Sequence, residues 1–223
     1  MARPIKVVPA ILTEDPKSLK EMIHLADSFT DYIQIDIMDG RFVPSQSITY
    51  KDLIALPPGI IWEAHLMVER PENHLEDFAK AGAQKVIFHY EATSSPQNVI
   101  SQARELGLKI GLAINPETDV TAFRPLVNKI DSILFLTVHP GFYGSRFIPE
   151  VLDNVKVLRQ NEPDIEIGVD GGIKESNIVQ IALTGVDVLY IGSAIFLQSH
   201  PAEKYREFMA LVQTATRVDN PGT

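Results

Sequence analysis

The feature that most constrains this chain is a repeated alternation: eight short apolar, β-branched runs, each but one or two trailed by an amphipathic stretch. The runs are Lys6 to Leu12, Tyr32 to Met38, Ile60 to Val68, Lys85 to His89, Lys109 to Ile114, Ser132 to Val138, Ile165 to Val169 and Val188 to Ile191. Helices are expected over Pro16 to Ala26, Pro71 to Ala81, Pro96 to Leu106, Ile148 to Arg159, Asn177 to Leu183 and Ala202 to Thr214. Asp15 before Pro16 reads as a capping carboxylate ahead of proline at the first helical position. Gly82, Gly107 and Gly185 read as helix stops. Strands separated by helices make a parallel sheet, because parallel neighbours need a crossover. Near-continuous apolar strands fit a sheet covered on both faces. Eight such units in 223 residues, of which 45% are hydrophobic, imply an α/β fold, a single (β/α)8 TIM barrel over 1–223. A doubly wound open sheet would carry a glycine-rich turn after its first strand, and Thr13-Glu14-Asp15-Pro16 has none.

Several function classes fall away. A net charge of −9 argues against a nucleic-acid surface, which needs basic patches. There is no cysteine, so disulfides, thiolate metal sites and thiol nucleophiles are out. Met1 to Lys6 runs directly into a strand, and no apolar run reaches ~20 residues, so the expectation is a cytoplasmic protein with no leader and no membrane partner.

A barrel of this kind works at the C-terminal ends of its strands. Three of those ends carry polar groups: Gln34 and Asp36 on the second strand, His65 on the third and Asp170 on the seventh. Period-two alternation points Gln34 and Asp36 the same way, into the barrel mouth. An acid or a histidine at one strand end is usually a cap or a satisfied core residue. Three ionisable groups converging on one axis would be costly without a task. Asp36 and Asp170 come from nearly opposite strands, as abstraction of a proton on one face of a substrate and delivery on the other require. Lys6, Lys85 and Lys109 all begin strands, which removes lysine from the mouth and argues against Schiff-base chemistry. Glycine-bearing loops follow strands six, seven and eight: Gly141 and Gly144, Gly171 and Gly172, then Gly192 with Ser193. Backbone amides there can approach a phosphate closely.

The segments Asp36-Ile37-Met38-Asp39-Gly40 with Phe42-Val43-Pro44, His65-Leu66-Met67-Val68, His89-Tyr90-Glu91-Ala92, Pro140-Gly141-Phe142, Val169-Asp170-Gly171-Gly172 and Gly192-Ser193-Ala194-Ile195 together resemble the ribulose-phosphate 3-epimerase family, from about Val7 to Phe196. The resemblance implies interconversion of ribulose 5-phosphate and xylulose 5-phosphate, with Asp36 and Asp170 exchanging acid and base roles. It implies a divalent metal, zinc or iron(II), with manganese or magnesium as alternatives, on Asp36, His65, Asp170 and the position of Gln34. It places His65, Met38 and Met67 against the sugar and phosphate on amides near Gly144, Gly171, Gly172, Gly192 and Ser193. It suggests a homo-oligomer, dimer or hexamer, with a phosphorylated ketose as its partner. Three departures stand out. Gln34 replaces the family's first metal histidine, so the metal is expected to be weakly held. Ala10 replaces a substrate-binding serine, and Leu136 replaces a shielding methionine. These leave open a different ketose phosphate, or a sugar-phosphate-binding barrel without catalysis, against which the presence of both aspartates speaks.

Overall fold

The computed structural model describes residues 4–54, 56, 59–141 and 145–218, with the side chains of 216–218 excepted. Eight parallel strands close into a barrel in chain order: β1 (Lys6–Ile11), β2 (Tyr32–Met38), β3 (Ile61–Met67), β4 (Lys85–His89), β5 (Lys109–Ile114), β6 (Ser132–Leu136), β7 (Glu166–Asp170) and β8 (Val188–Ile191). Closure is made by β1 against β8, with Lys6 opposite Val188 and Pro9 opposite Ile191. Around the ring lie α1 (Pro16–Asp27), α2 (Tyr50–Leu53), α3 (Leu75–Ala81), α4 (Pro96–Glu105), α5 (Val120–Phe123), α6 (Val151–Asn161), α7 (Ile178–Ala182), α8 (Ser193–Phe196) and α9 (Pro201–Val218). No described helix is long and apolar enough to cross a membrane.

The helix ends follow local chemistry. Asp15 accepts hydrogen bonds from Lys17 N at 3.2 Å and Ser18 N at 3.0 Å, and Pro16 opens α1 where no amide is needed. Gly82, at φ 95°, closes α3 in the left-handed conformation that favours glycine. Several boundaries differ from the sequence expectation by a residue or more, and three of them have a visible local cause. The stretch from Pro71 is two elements, a 3-10 turn over Pro71–Asn73 and then α3, because Asn73 N and His74 N bond back three residues to Arg70 O and Pro71 O. The helix after β6 starts at Val151 rather than Ile148, since Ile148 N is engaged by Thr137 O at 2.8 Å. Strand β7 runs to Asp170 but does not include Ile165, whose carbonyl takes a hydrogen bond from Arg159 Nη1 instead.

The core has two main compartments, and a third, small cluster lies at the barrel mouth. The larger lies between strands and helices, with Phe78, Phe88, Phe123, Phe135 and Phe208 fully buried. The smaller fills the barrel itself with Val8, Ala10, Ile87, Ala113, Leu134, Leu136, Val188 and Tyr190. Glycine serves the inner packing at Gly168, where a Cβ would meet Tyr190 Cε2 at 2.7 Å. Below this apolar plug, at the strand beginnings, sits a buried ion cluster. Lys85 Nζ lies 2.8 Å from Glu63 Oε2 and 3.2 Å from Glu166 Oε1, and Tyr32 Oη donates to Glu63 Oε2 at 2.6 Å. The strand-initial lysine expected to be structural is therefore the cation that neutralises the barrel floor.

Removing one partner of such a pair leaves an uncompensated buried charge, at a cost of about 3–5 kcal/mol. Lys85→Met should lower unfolding free energy by that amount in urea titrations. Lys85→Met combined with Glu63→Gln should recover a large part of it, whereas independent, additive losses would show that the two residues do not stabilise one another.

Candidate active site

At the opposite end of the barrel, strand alternation brings the inward-facing polar residues of β2, β3 and β7 together. Register places Gln34 beside Glu63 and Asp36 beside His65, so Asp36 and His65 lie at one level of the mouth. Asp170 ends β7, opposite Leu136 of β6. His65 Nδ1 is 2.9 Å from Asp36 Oδ1 and 3.6 Å from Asp170 Oδ2. Gln34 Nε2 donates to Asp36 Oδ1 and to Asp170 Oδ2, at 3.2 Å in each case. One carboxamide thus bridges two carboxylates from opposite sides of the ring.

The ends of the two strands are held by side-chain clamps. Ser47 Oγ accepts from Met38 N at 2.9 Å and donates to Asp36 O at 3.0 Å. Asp39, adjacent in sequence to the reactive-looking Asp36, is a loop builder: its carboxylate accepts from Arg41 N, Phe42 N and Glu69 N at 2.8–3.0 Å. Thr137 Oγ1 lies 2.9 Å from Asp170 O and 2.6 Å from Gly171 O, fixing the exit of β7. Sequence reasoning did not single out Ser47 or Thr137, and a hydroxyl in a loop gives no signal of its own.

Electrostatics follow from burial. Asp36 and Asp170 are both pushed well above the usual carboxylate range, chiefly by desolvation. The charge of Asp36 adds to the rise at Asp170, and the Gln34 hydrogen bond opposes it at both. Burial pushes His65 below its ordinary value. Two carboxyl groups held near their protonation midpoint suit proton transfer in either direction.

The rest of the mouth divides by chemistry. Met38, Met67 and Val43 form an apolar cluster with Leu12 and Phe42 packed against it, covering the β1–β3 side. Ala10, Leu136, Gly141, Gly171, Gly172, Gly192 and Ser193 line the same cleft as the two aspartates and His65. Gly171 has φ 107°, and a Cβ there would stand 2.4 Å from Val138 Cγ2, so only glycine fits. Gly172, at φ 64°, follows in the same region of backbone space. Ser193 opens the single-turn α8. Gly144 and its neighbours Phe142 and Tyr143 lie outside the described residues.

The donor set can be tested against a divalent cation. One ligand atom each from Asp36, His65 and Asp170 can be chosen so that all lie within 4.8 Å of one another, and two carboxylates with an imidazole suit zinc, iron or manganese. Gln34 Oε1 is buried with no hydrogen-bond partner. Turning the amide over would bring that oxygen to the carboxyl groups, an arrangement that a cation, or a proton on one of them, would stabilise. The residues fit a metal. In the orientation found here, however, the amide nitrogen faces the aspartates.

A sequence profile of the ribulose-phosphate 3 epimerase family matches residues 6–196. The chain belongs to this family. Ribulose-phosphate 3-epimerase from Synechocystis sp. is 39% identical, with 97% of this chain and 96% of that protein aligned. The enzyme of that name from Schizosaccharomyces pombe is 35% identical, over 89% and 90% of the two chains. Among solved structures, 3-hexulose-6-phosphate synthase from Salmonella typhimurium superposes with a TM-score of 0.73 over 95% of this chain and 100% of that one. At 21% identity that likeness speaks to the barrel alone.

Gln34→His should raise zinc affinity, read by isothermal titration of chelator-treated protein. An imidazole adds a stronger ligand for this ion than an amide. Equal affinity in the two chains would mean that this position does not contribute to a metal site.

Proposed function

We propose that this protein interconverts ribulose 5-phosphate and xylulose 5-phosphate, using Asp36 and Asp170 as the acid–base pair. The observation that carries this reading is the juxtaposition of a buried carboxyl group from β2 and a half-buried one from β7 across one mouth, each raised toward its protonation midpoint. Inversion at a carbon beside a ketone needs a base on one face and an acid on the other. One aspartate, ionised, takes the C3 proton. The other, protonated, returns a proton to the opposite face. The carboxyl groups finish the reaction with their protonation states exchanged, so the same pair serves the reverse direction.

Asp36, His65 and Asp170 would hold a divalent metal, with Gln34 as a fourth, weaker donor if its amide is turned. When bound, such an ion supplies Lewis-acid polarisation of the ketone. His65 faces both carboxylates and orients them. Met38 and Met67 exclude water from the reacting carbons, which protects the electron-rich intermediate from stray protonation. Gln34 donates to each aspartate and so stabilises whichever is ionised. The substrate's phosphate would rest on backbone amides near Gly171, Gly172, Gly192 and Ser193, with Gly141 shaping the neighbouring wall. No described lysine or arginine lines this cleft, which supports amides rather than side-chain cations as the anion's partners. Assembly into a homo-oligomer, a cytoplasmic location and one domain over the whole chain belong to the same reading.

Asp36→Asn and Asp170→Asn should each lower turnover by at least roughly 10²–10⁴-fold, the typical contribution of one positioned acid or base, with unchanged circular dichroism. The decisive assay is incorporation of solvent deuterium at C3 of ribulose 5-phosphate, followed by NMR. Near-normal exchange in either variant would sink the two-aspartate mechanism. Exchange with another ketose phosphate but not with this one would move the substrate assignment while keeping the chemistry. A sulfate or phosphate soak should place the anion beside Gly172 and Ser193, and an anion held instead by arginine or lysine would refute the amide cradle.

A further inference from the structure

A chain of polar contacts leaves the mouth away from the aspartates. His65 Nε2 is 2.9 Å from His89 Nε2, and the two rings stack with centroids 5.1 Å apart and planes 19° apart. On the far side His89 Nδ1 is 2.9 Å from Asn115 Oδ1 and 3.7 Å from Glu91 Oε2. Glu91 is itself anchored, accepting from Asn115 N at 3.0 Å and Thr118 Oγ1 at 2.5 Å. Phe42 packs on His89 with centroids 4.8 Å apart. Both histidines are buried, and the ends of β3, β4 and β5 supply the whole chain.

We propose that His89 is a positioning residue which, held at Nδ1 by Glu91 and Asn115, fixes His65 in the tautomer protonated at Nε2, so that the lone pair of His65 Nδ1 faces Asp36 and Asp170. The inference rests on the reading of Asp36, His65 and Asp170 as the reacting site. Its logic is a count of protons. Both rings are buried and in contact, where a charged imidazole would be poorly solvated, so each is counted with one N–H and one lone pair. The short Nε2···Nε2 contact allows a proton on one of the two nitrogens only. Suppose His89 carried its proton at Nε2. Its Nδ1 lone pair would then face Asn115 Oδ1, an acceptor, and the Glu91 carboxylate beyond it. Both contacts would be repulsive. With the proton at His89 Nδ1, both become attractive, and His89 Nε2 is left as an acceptor. His65 must then donate from Nε2, and its Nδ1 is bare.

A bare Nδ1 at 2.9 Å from Asp36 Oδ1 requires either a proton on that carboxyl group or a cation between them. The outer anchor therefore keeps the inner end in the state that both the acid form of Asp36 and a metal ion need. Outer hydrogen-bond partners of metal-binding histidines commonly act this way. His65 alone, facing two aspartates, would take the opposite tautomer and donate to them.

Histidine side-chain ¹⁵N–¹H correlation spectra of the chelator-treated chain test this directly. The expected result is a protonated Nε2 and an unprotonated Nδ1 at His65, with the reverse tautomer gaining population in Glu91→Gln. Cobalt(II) titration gives a second readout. Glu91→Gln and His89→Phe should weaken Co²⁺ binding by about 10–100-fold, and His89→Gln, which can still accept at one end and donate at the other, should restore part of it. A parent chain with the proton on His65 Nδ1 would overturn the proposal, as would a Glu91→Gln chain with the parent's tautomer and Co²⁺ affinity. A parent that binds no Co²⁺ but shows the Nε2 tautomer would remove the metal from the proposed function and leave the role of His89 supported. If a substituted chain does not fold, the parent spectrum alone decides.

Discussion

Everything at the mouth of this molecule depends on the closure of β1 onto β8. An open parallel sheet leaves two edges, and a strand at an edge can slide. Closure pairs every strand on both sides and fixes the register around the ring. With a side-chain period of two, a slip of one residue would turn Gln34 and Asp36 outward among the helices and leave Ile35 facing the substrate. The apolar plug of Val8, Ala10, Ile87, Ala113, Leu134, Leu136, Val188 and Tyr190 then fills the interior between the two ends.

Those two ends treat buried charge in opposite ways. At the floor, Lys85 stands between Glu63 and Glu166 and pairs with both. At the mouth, two carboxyl groups share one neutral amide and one neutral imidazole. No described cationic side chain is paired with them there, so their protonation is left adjustable. The same cost of desolvation that a structural pair offsets by neutralisation is kept at the mouth as readiness to take up a proton or a cation. The hydrogen-bond run through His89 to Glu91 extends this arrangement outward, so that a carboxylate well away from the substrate bears on the state of His65.

Much of this could be read from the chain before folding. The eight strands, the Asp15 cap, the lysine-bearing floor and the convergence of Gln34, Asp36, His65 and Asp170 all follow from periodicities that are local and strong. What could not be read was set by tertiary geometry. The orientation of the Gln34 carboxamide depends on two carboxylates 136 and 2 residues away. Thr137 and Ser47 matter because the carbonyls they reach happen to belong to the ends of β7 and β2. Asn115 and Glu91 are unremarkable loop residues until the ring places them around His89. Pro71 looked like a helix start, yet Arg70, at φ 56°, turns the chain so that a 3-10 turn comes first.

Gly171 has a consequence for how such a barrel can change over time. Its positive φ and the 2.4 Å that a Cβ would leave to Val138 forbid any side chain there, and Gly172 beside it is similarly constrained. At these two positions the rim is therefore written in backbone and has almost no mutational neighbours. The half on β1 to β3 presents side chains to the cleft, Ala10, Asp36, Met38, His65 and Met67, and is the permissive one. Ala10 and Gln34 both lie in that permissive half. A lineage can thus retune such contacts by single side-chain substitutions while the backbone at the exit of β7 stays fixed.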